Sequence, residues 1–150
     1  MLVLVPLPVR AQQRVSATPQ LEARFDGSFS PMGGALAGVG INVRAGWYTR
    51  LGLAASAGAV RVSGTLRATQ RLDGTARFLF DPFAEGRRAF YAGAGLGVQR
   101  SASGEVRGLL LGIVGVEGPA QGRILPSLEV SLGGGARVGV VLRSRRPQGR

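Results

Sequence analysis

Between Phe90 and Gln99 the chain alternates two kinds of side chain without a break. Phe90, Ala92, Ala94, Leu96 and Val98 fall on one face of an extended strand, and Tyr91, Gly93, Gly95, Gly97 and Gln99 on the other. The reason is geometric: successive Cβ atoms of a strand point to opposite sides. A half-exposed strand of a water-soluble sheet turns large apolar groups to a core and polar groups to water. Here one face is uniformly apolar, and its opposite is mostly glycine with a polar group at each end. Glycine weakens a strand unless something must approach its backbone closely or fill the space above it. A small closed barrel sets that requirement, with apolar groups toward lipid and small residues inside that leave room for a few long polar ones.

The same period runs through most of the chain. Gln20–Phe29 sets Leu21, Ala23, Phe25, Gly27 and Phe29 against Glu22, Arg24, Asp26 and Ser28. After a turn over Pro31–Gly34, Ala35–Trp47 sets Val39, Ile41 and Val43 against Gly38, Gly40, Asn42 and Arg44. A tight turn over Trp47–Arg50 leads into Leu51–Val62, and Ser63-Gly64 turns into Thr65–Phe80. The period falters near Asp73-Gly74, which predicts a bulge or bend there. Asp81–Arg88 is the longest polar connection, and the Phe90 strand follows it. Glu105–Glu117 is apolar on both faces in its middle, LLLGIVGV. Ile124–Leu132 and Ala136–Arg143, joined by Gly133-Gly134-Gly135, complete eight strands. Their lengths suit tilted strands that cross a bilayer, which need ~9–11 residues. No run reaches the ~20 apolar residues of a membrane-spanning helix.

An up-and-down meander puts the turns near residues 48 and 84 on the rim that carries the chain ends. Trp47, Tyr48, Phe80, Phe83, Phe90 and Tyr91 gather there as an expected interfacial girdle. The face opposite the apolar one holds Glu22, Arg24, Asp26, Arg44, Arg77, Glu129 and Arg137, with Asn42, Tyr91 and Gln99 as neutral partners. Eight strands enclose only enough space for side chains, so these charges are expected to pair and close the lumen. Glu129 and Arg137 flank the Gly133–Gly135 turn on one face, which predicts a diagonal cross-strand pair.

Composition narrows the function classes. The nineteen basic residues are all arginine, against eight acidic ones, and the chain has no histidine and no cysteine. Thiolate chemistry is absent, and so is the commonest general base and metal ligand. Ser28, Ser56, Ser127 and Ser131 face the expected lumen without a base to activate them. Carboxylates opposite arginines read as structural ion pairs, so no catalytic residues, no metal site and no cofactor are expected. Gly93-x-Gly-x-Gly97 opens no helix, so it is no phosphate loop. The net charge of +11 raises nucleic acid as a partner. Most arginines stand singly on strands, however, instead of clustering with stacking aromatics, and no nucleic-acid partner is expected. Met1–Ala11 reads as the end of a secretory signal whose start lies upstream. Residues 12–144 read as one barrel domain and 145–150 as a basic, disordered tail.

Three segments carry a resemblance: AFYAGAGLGV, LLLGIVGVEGP and PSLEVSLGGGARVGVVLR. The span from Gln20 to Arg143 resembles the small bacterial eight-stranded outer-membrane β-barrel families. Two features depart from them. The last strand ends in Leu142-Arg143 instead of the terminal aromatic that the assembly machinery reads, and the turns on the far rim are short. The resemblance implies a Gram-negative cell-envelope protein, an all-β, eight-stranded antiparallel up-and-down barrel in the outer membrane. It implies a structural or interaction role as a monomer, with outer-membrane lipid, lipopolysaccharide and the barrel-assembly machinery as partners. The rival reading is a soluble periplasmic or secreted lipocalin-like barrel that binds a small apolar ligand, which would exchange the inside and outside faces.

Overall fold

The computed structural model describes residues 18–29, 33–83 and 87–144. The expected signal remnant, the basic tail and residues 84–86 of the long connection lie outside them. Eight strands follow in order: β1 (Gln20–Ser28), β2 (Gly34–Arg44), β3 (Thr49–Val62), β4 (Thr65–Leu79), β5 (Ala89–Ser101), β6 (Val106–Glu117), β7 (Ile124–Leu132) and β8 (Ala136–Ser144). Each pairs antiparallel with its neighbours in the chain, and β1 pairs with β8 from Glu22↔Arg143 to Ser28↔Arg137, which closes the barrel. Closure pairs β1 and β8, the two strands that an open sheet would leave as free edges.

Turn chemistry sets the hairpins. Val62 pairs with Thr65, so Ser63 and Gly64 are the whole loop, with φ of 49° and 83°. A two-residue turn with positive φ at both positions matches the twist of the flanking strands, and glycine makes its second position cheap. Gly133, Gly134 and Gly135 all take positive φ between β7 and β8, where side chains would strain the backbone.

The expected bulge at Asp73-Gly74 is absent. β4 pairs continuously with β3 from Thr65↔Val62 to Phe78↔Thr49, and with β5 from Thr69↔Ser101 to Leu79↔Tyr91. The apparent break was one of composition, since Gly74, Thr75 and Ala76 carry little polarity to mark their faces. β6 also resolves: Leu111 and Ile113 are buried inside while Leu110 and Val114 are exposed outside.

The barrel has the reverse polarity of a water-soluble domain. Large apolar side chains stand exposed on its outer wall on every strand, among them Leu21, Val39, Leu53, Leu72, Leu96, Leu110, Leu128 and Val140. The lumen takes most of the buried charge. Glycines on the inward face sit opposite the largest polar groups: Gly38 against Arg24, Gly40 against Glu22, Gly97 against Asp73, Gly93 against Arg77, and Gly139 against Asp26. The glycine face of β5 therefore makes room for the charges of β4.

Candidate functional site

The lumen holds one connected charge network. Among the described residues, six arginines (Arg24, Arg50, Arg71, Arg77, Arg137 and Arg143) and five carboxylates (Glu22, Asp26, Asp73, Glu117 and Glu129) are buried inside the barrel. Strand parity brings them together: inward positions on β1, β3, β4, β6, β7 and β8 all project toward one axis.

Glu129 is the hub. It accepts hydrogen bonds from Arg24 Nη2 at 3.0 Å and from the Tyr91 hydroxyl at 3.0 Å. Arg77 Nη2 lies 3.2 Å from it, and Arg143 Nη2 lies at 3.9 Å. Toward the rim of the chain ends, Glu117 is shared by Arg50 and Arg143, the latter at 2.5 Å. Arg143 also donates to the Ser127 hydroxyl at 2.9 Å, and its guanidinium carbon sits 5.4 Å from the Tyr91 ring centroid. Glu22 accepts from Asn42 at 2.6 Å and from Arg143 Nε at 3.4 Å, while Asn42 in turn accepts from Arg77 at 2.8 Å. Toward the far rim, Arg24 holds Asp26 through Nε at 2.9 Å, and Arg71 Nε holds both oxygens of Asp73 at 2.7 and 2.8 Å. Arg137 links Asp73 at 3.4 Å with Asp26 at 3.8 Å. Buried charges are tolerated when paired and hydrogen-bonded on this scale.

Of the residues expected in this network, Glu22, Arg24, Asp26, Arg77, Glu129 and Arg137 are buried in the lumen. Arg44 is not: it stands half-buried near the rim of the chain ends, and among the described residues it forms no ion pair. The expected Glu129–Arg137 pair does not form. Glu129 is taken by Arg24, Arg77 and Arg143, and Arg137 reaches the aspartates of β1 and β4 instead. The network also takes in Arg50, Arg71, Asp73, Glu117 and Arg143, which the expected set does not contain. Parity carried two residues at a time from Arg77 reaches Asp73 and Arg71, and from Arg137 it reaches Arg143. Arg50 lies where the sequence predicts a turn, and Glu117 ends a strand that is apolar on both faces in its middle.

A second feature lies on the outer wall. Trp47, Tyr48, Phe80, Phe83 and Phe90 are exposed around the rim of the chain ends. Phe78 joins them, stacked on Tyr48 with ring centroids 5.6 Å apart and edge-on to Phe80 at 5.8 Å. Trp47 lies 5.4 Å from Phe83. Tyr91 is the correction to this set. It is only 2% exposed and points into the lumen, because it follows Phe90 and strand parity puts it on the other face.

No protein-family model matches the sequence, and no curated protein matches it. Solved structures do. The crystal structure of Neisserial surface protein A covers 85% of this chain and 96% of its own, with a TM-score of 0.61 at 14% identity. The N-terminal β-barrel domain of Pseudomonas aeruginosa OprF covers 83% of this chain and 96% of its own, with a TM-score of 0.58 at 18% identity. The barrel closes with the same strand count, and the fold of this chain is that of the small eight-stranded outer-membrane β-barrels.

Proposed function

We propose that this chain is an outer-membrane protein with a structural or interaction role, its lumen closed by the charge network. One observation carries the reading: apolar side chains cover the outer wall on all eight strands, while the buried charges lie inside. In water, an apolar surface of that extent would drive association; in a bilayer it is the required exterior. The aromatic band at one rim supports the same placement. A lipocalin-like barrel needs an apolar cavity, and an interior of arginine and carboxylate does not offer one.

The partners follow from what stands at the rims. Exposed Arg61 and Arg100 continue the outward faces of β3 and β5 near the far rim. In this reading they meet the phosphates of lipopolysaccharide, at roughly 1 kcal/mol for each arginine near an anionic surface. Outer-membrane lipid covers the belt below. Assembly of such a barrel calls on the barrel-assembly machinery, and a barrel closed on itself between β1 and β8 suits a monomer.

Two results are expected. In cell fractionation the full-length gene product pellets with outer membranes and shifts on gels when heated, and the purified barrel gives no steady wide-pore conductance in planar bilayers. A soluble periplasmic protein with no heat shift would overturn the membrane placement, and a steady wide-pore current would overturn the closed lumen. Trp47 is the sole tryptophan and supplies an independent measurement. Its emission is expected to move to shorter wavelength on insertion into vesicles. Lipids brominated near the headgroup should quench it more strongly than lipids brominated near the chain ends. Equal quenching at both depths would remove it from the interface.

A further inference from the structure

The lumen network has one cation too many, and the excess can be located. Six buried guanidiniums face five buried carboxylates among the described residues. Arg24, Arg50, Arg71, Arg77 and Arg143 each have a carboxylate within 3.2 Å. Arg137 does not: its approaches to Asp73 and Asp26 are 3.4 and 3.8 Å. Asp73 is already held by both oxygens through Arg71, so Arg137 shares a carboxylate that another arginine occupies. Three N–H groups of these two side chains have no hydrogen-bond acceptor: Nε and Nη1 of Arg137 and Nη2 of Arg71. Both residues are at least nine-tenths buried. An uncompensated guanidinium in such a place is costly, and two adjacent cations with free donors are a receptor for negative charge.

We infer that Arg71 and Arg137 form a binding site for a small inorganic anion of the halide class in the far half of the lumen. A cavity of about 160 Å³ opens at the far rim, lined by Arg67, Arg107, Gln99 and Gly134 among others. Gln99 pairs with Arg71 across β4 and β5. The carbonyl of Gly133, next to Gly134, accepts from Arg71 Nη1 at 3.0 Å. The mouth therefore adjoins Arg71, and Arg67 at its lip favours the approach of anions, while Arg107 there is paired with Glu105 at 2.7 Å. β6 widens the opening, because its segment 106–111 pairs with β5 alone among the described residues. The site rests on the closed barrel and does not require the outer-membrane placement.

The test uses the full chain refolded in zwitterionic detergent, with chloride exchanged for bulky gluconate at constant ionic strength. Chloride is expected to raise the unfolding midpoint in urea. The unfolding equilibrium should shift about a hundredfold when chloride stands about a hundredfold above its dissociation constant. Arg137→Gln brings the lumen to five cations and five anions and should lose that dependence while still folding. Arg71→Lys, which keeps the charge but has fewer donors, should weaken it. Crystals of the parent soaked in bromide give a readout independent of any variant: an anomalous peak beside Arg71 and Arg137 is expected. No chloride dependence, or a dependence undiminished in Arg137→Gln, would overturn the site. So would bromide found only at exposed Arg67 and Arg107, an adventitious ion only.

Discussion

Replacing Glu129 by leucine is expected to lower the unfolding free energy by about 3–5 kcal/mol, the cost of stranding buried charge. Three guanidiniums, from Arg24, Arg77 and Arg143, approach this carboxylate, and the Tyr91 hydroxyl donates to it. Leucine fills similar volume, so the loss comes from charge and hydrogen bonding and not from a cavity. Each of the three arginines keeps a second carboxylate within reach: Arg24 at Asp26, Arg77 at Glu22, and Arg143 at Glu22 and Glu117. The network is therefore expected to weaken without losing the fold. Double-mutant cycles in urea, with the protein in detergent, separate the partners. Coupling of about 0.5–3 kcal/mol is expected between Glu129 and Arg24 or Arg77, as for members of one network. Coupling to Arg137 should be smaller, because the two residues share no partner. A cycle in which Arg137 couples most strongly would show that the observed pairing is wrong.

The contrast between those cycles marks where sequence reasoning stopped. Glu129 and Arg137 are both inward and diagonal across β7 and β8, with Glu129 opposite Gly139 and Ser131 opposite Arg137. Their proximity along the sheet was legible. Their partners were not, because a guanidinium on a long stem reaches across a narrow lumen to strands far away in sequence. Arg137 finds Asp73 on β4, 64 residues distant, and Arg24 finds Glu129 105 residues away. Which charges meet depends on how the barrel closes, and the alternating pattern says nothing about that. The pattern did specify faces wherever residues differ strongly in polarity. It failed on β4, where Gly74, Thr75 and Ala76 blur the alternation and hid Asp73 and Arg71. It was read correctly but incompletely on β8, where Arg143 shares the face of Arg137. Tyr91 shows the opposite error. Its type suggested an interfacial aromatic, yet its parity with Gly93 already placed it inside. Parity outranks residue type in a strand of this length.

The glycine face was legible as a demand for space, and Gly115→Val puts that demand to the strongest test. Gly115 stands opposite both Tyr91 on β5 and Glu129 on β7. A Cβ at this position would run into the ring and hydroxyl of Tyr91. That ring cannot withdraw easily, since its hydroxyl is bonded to Glu129 and Arg143 lies over its face. Valine is expected to cost about 1–3 kcal/mol in overpacking. Displacing the tyrosine adds about 1–3 kcal/mol for a buried acceptor left short of a donor. The sheet itself is not the obstacle, because valine favours strands and would help at an unconstrained site. Steric origin makes a specific demand of the double variant. Tyr91→Ala removes the obstructing ring, so Gly115→Val together with Tyr91→Ala should be clearly less damaging than the sum of the two single changes. Tyr91→Phe keeps the ring and should give no such relief. Urea midpoints for the three single variants, the two double variants and the parent decide the matter. Strict additivity with Tyr91→Ala, or equal relief by phenylalanine, would mean that the glycine serves something other than the tyrosine.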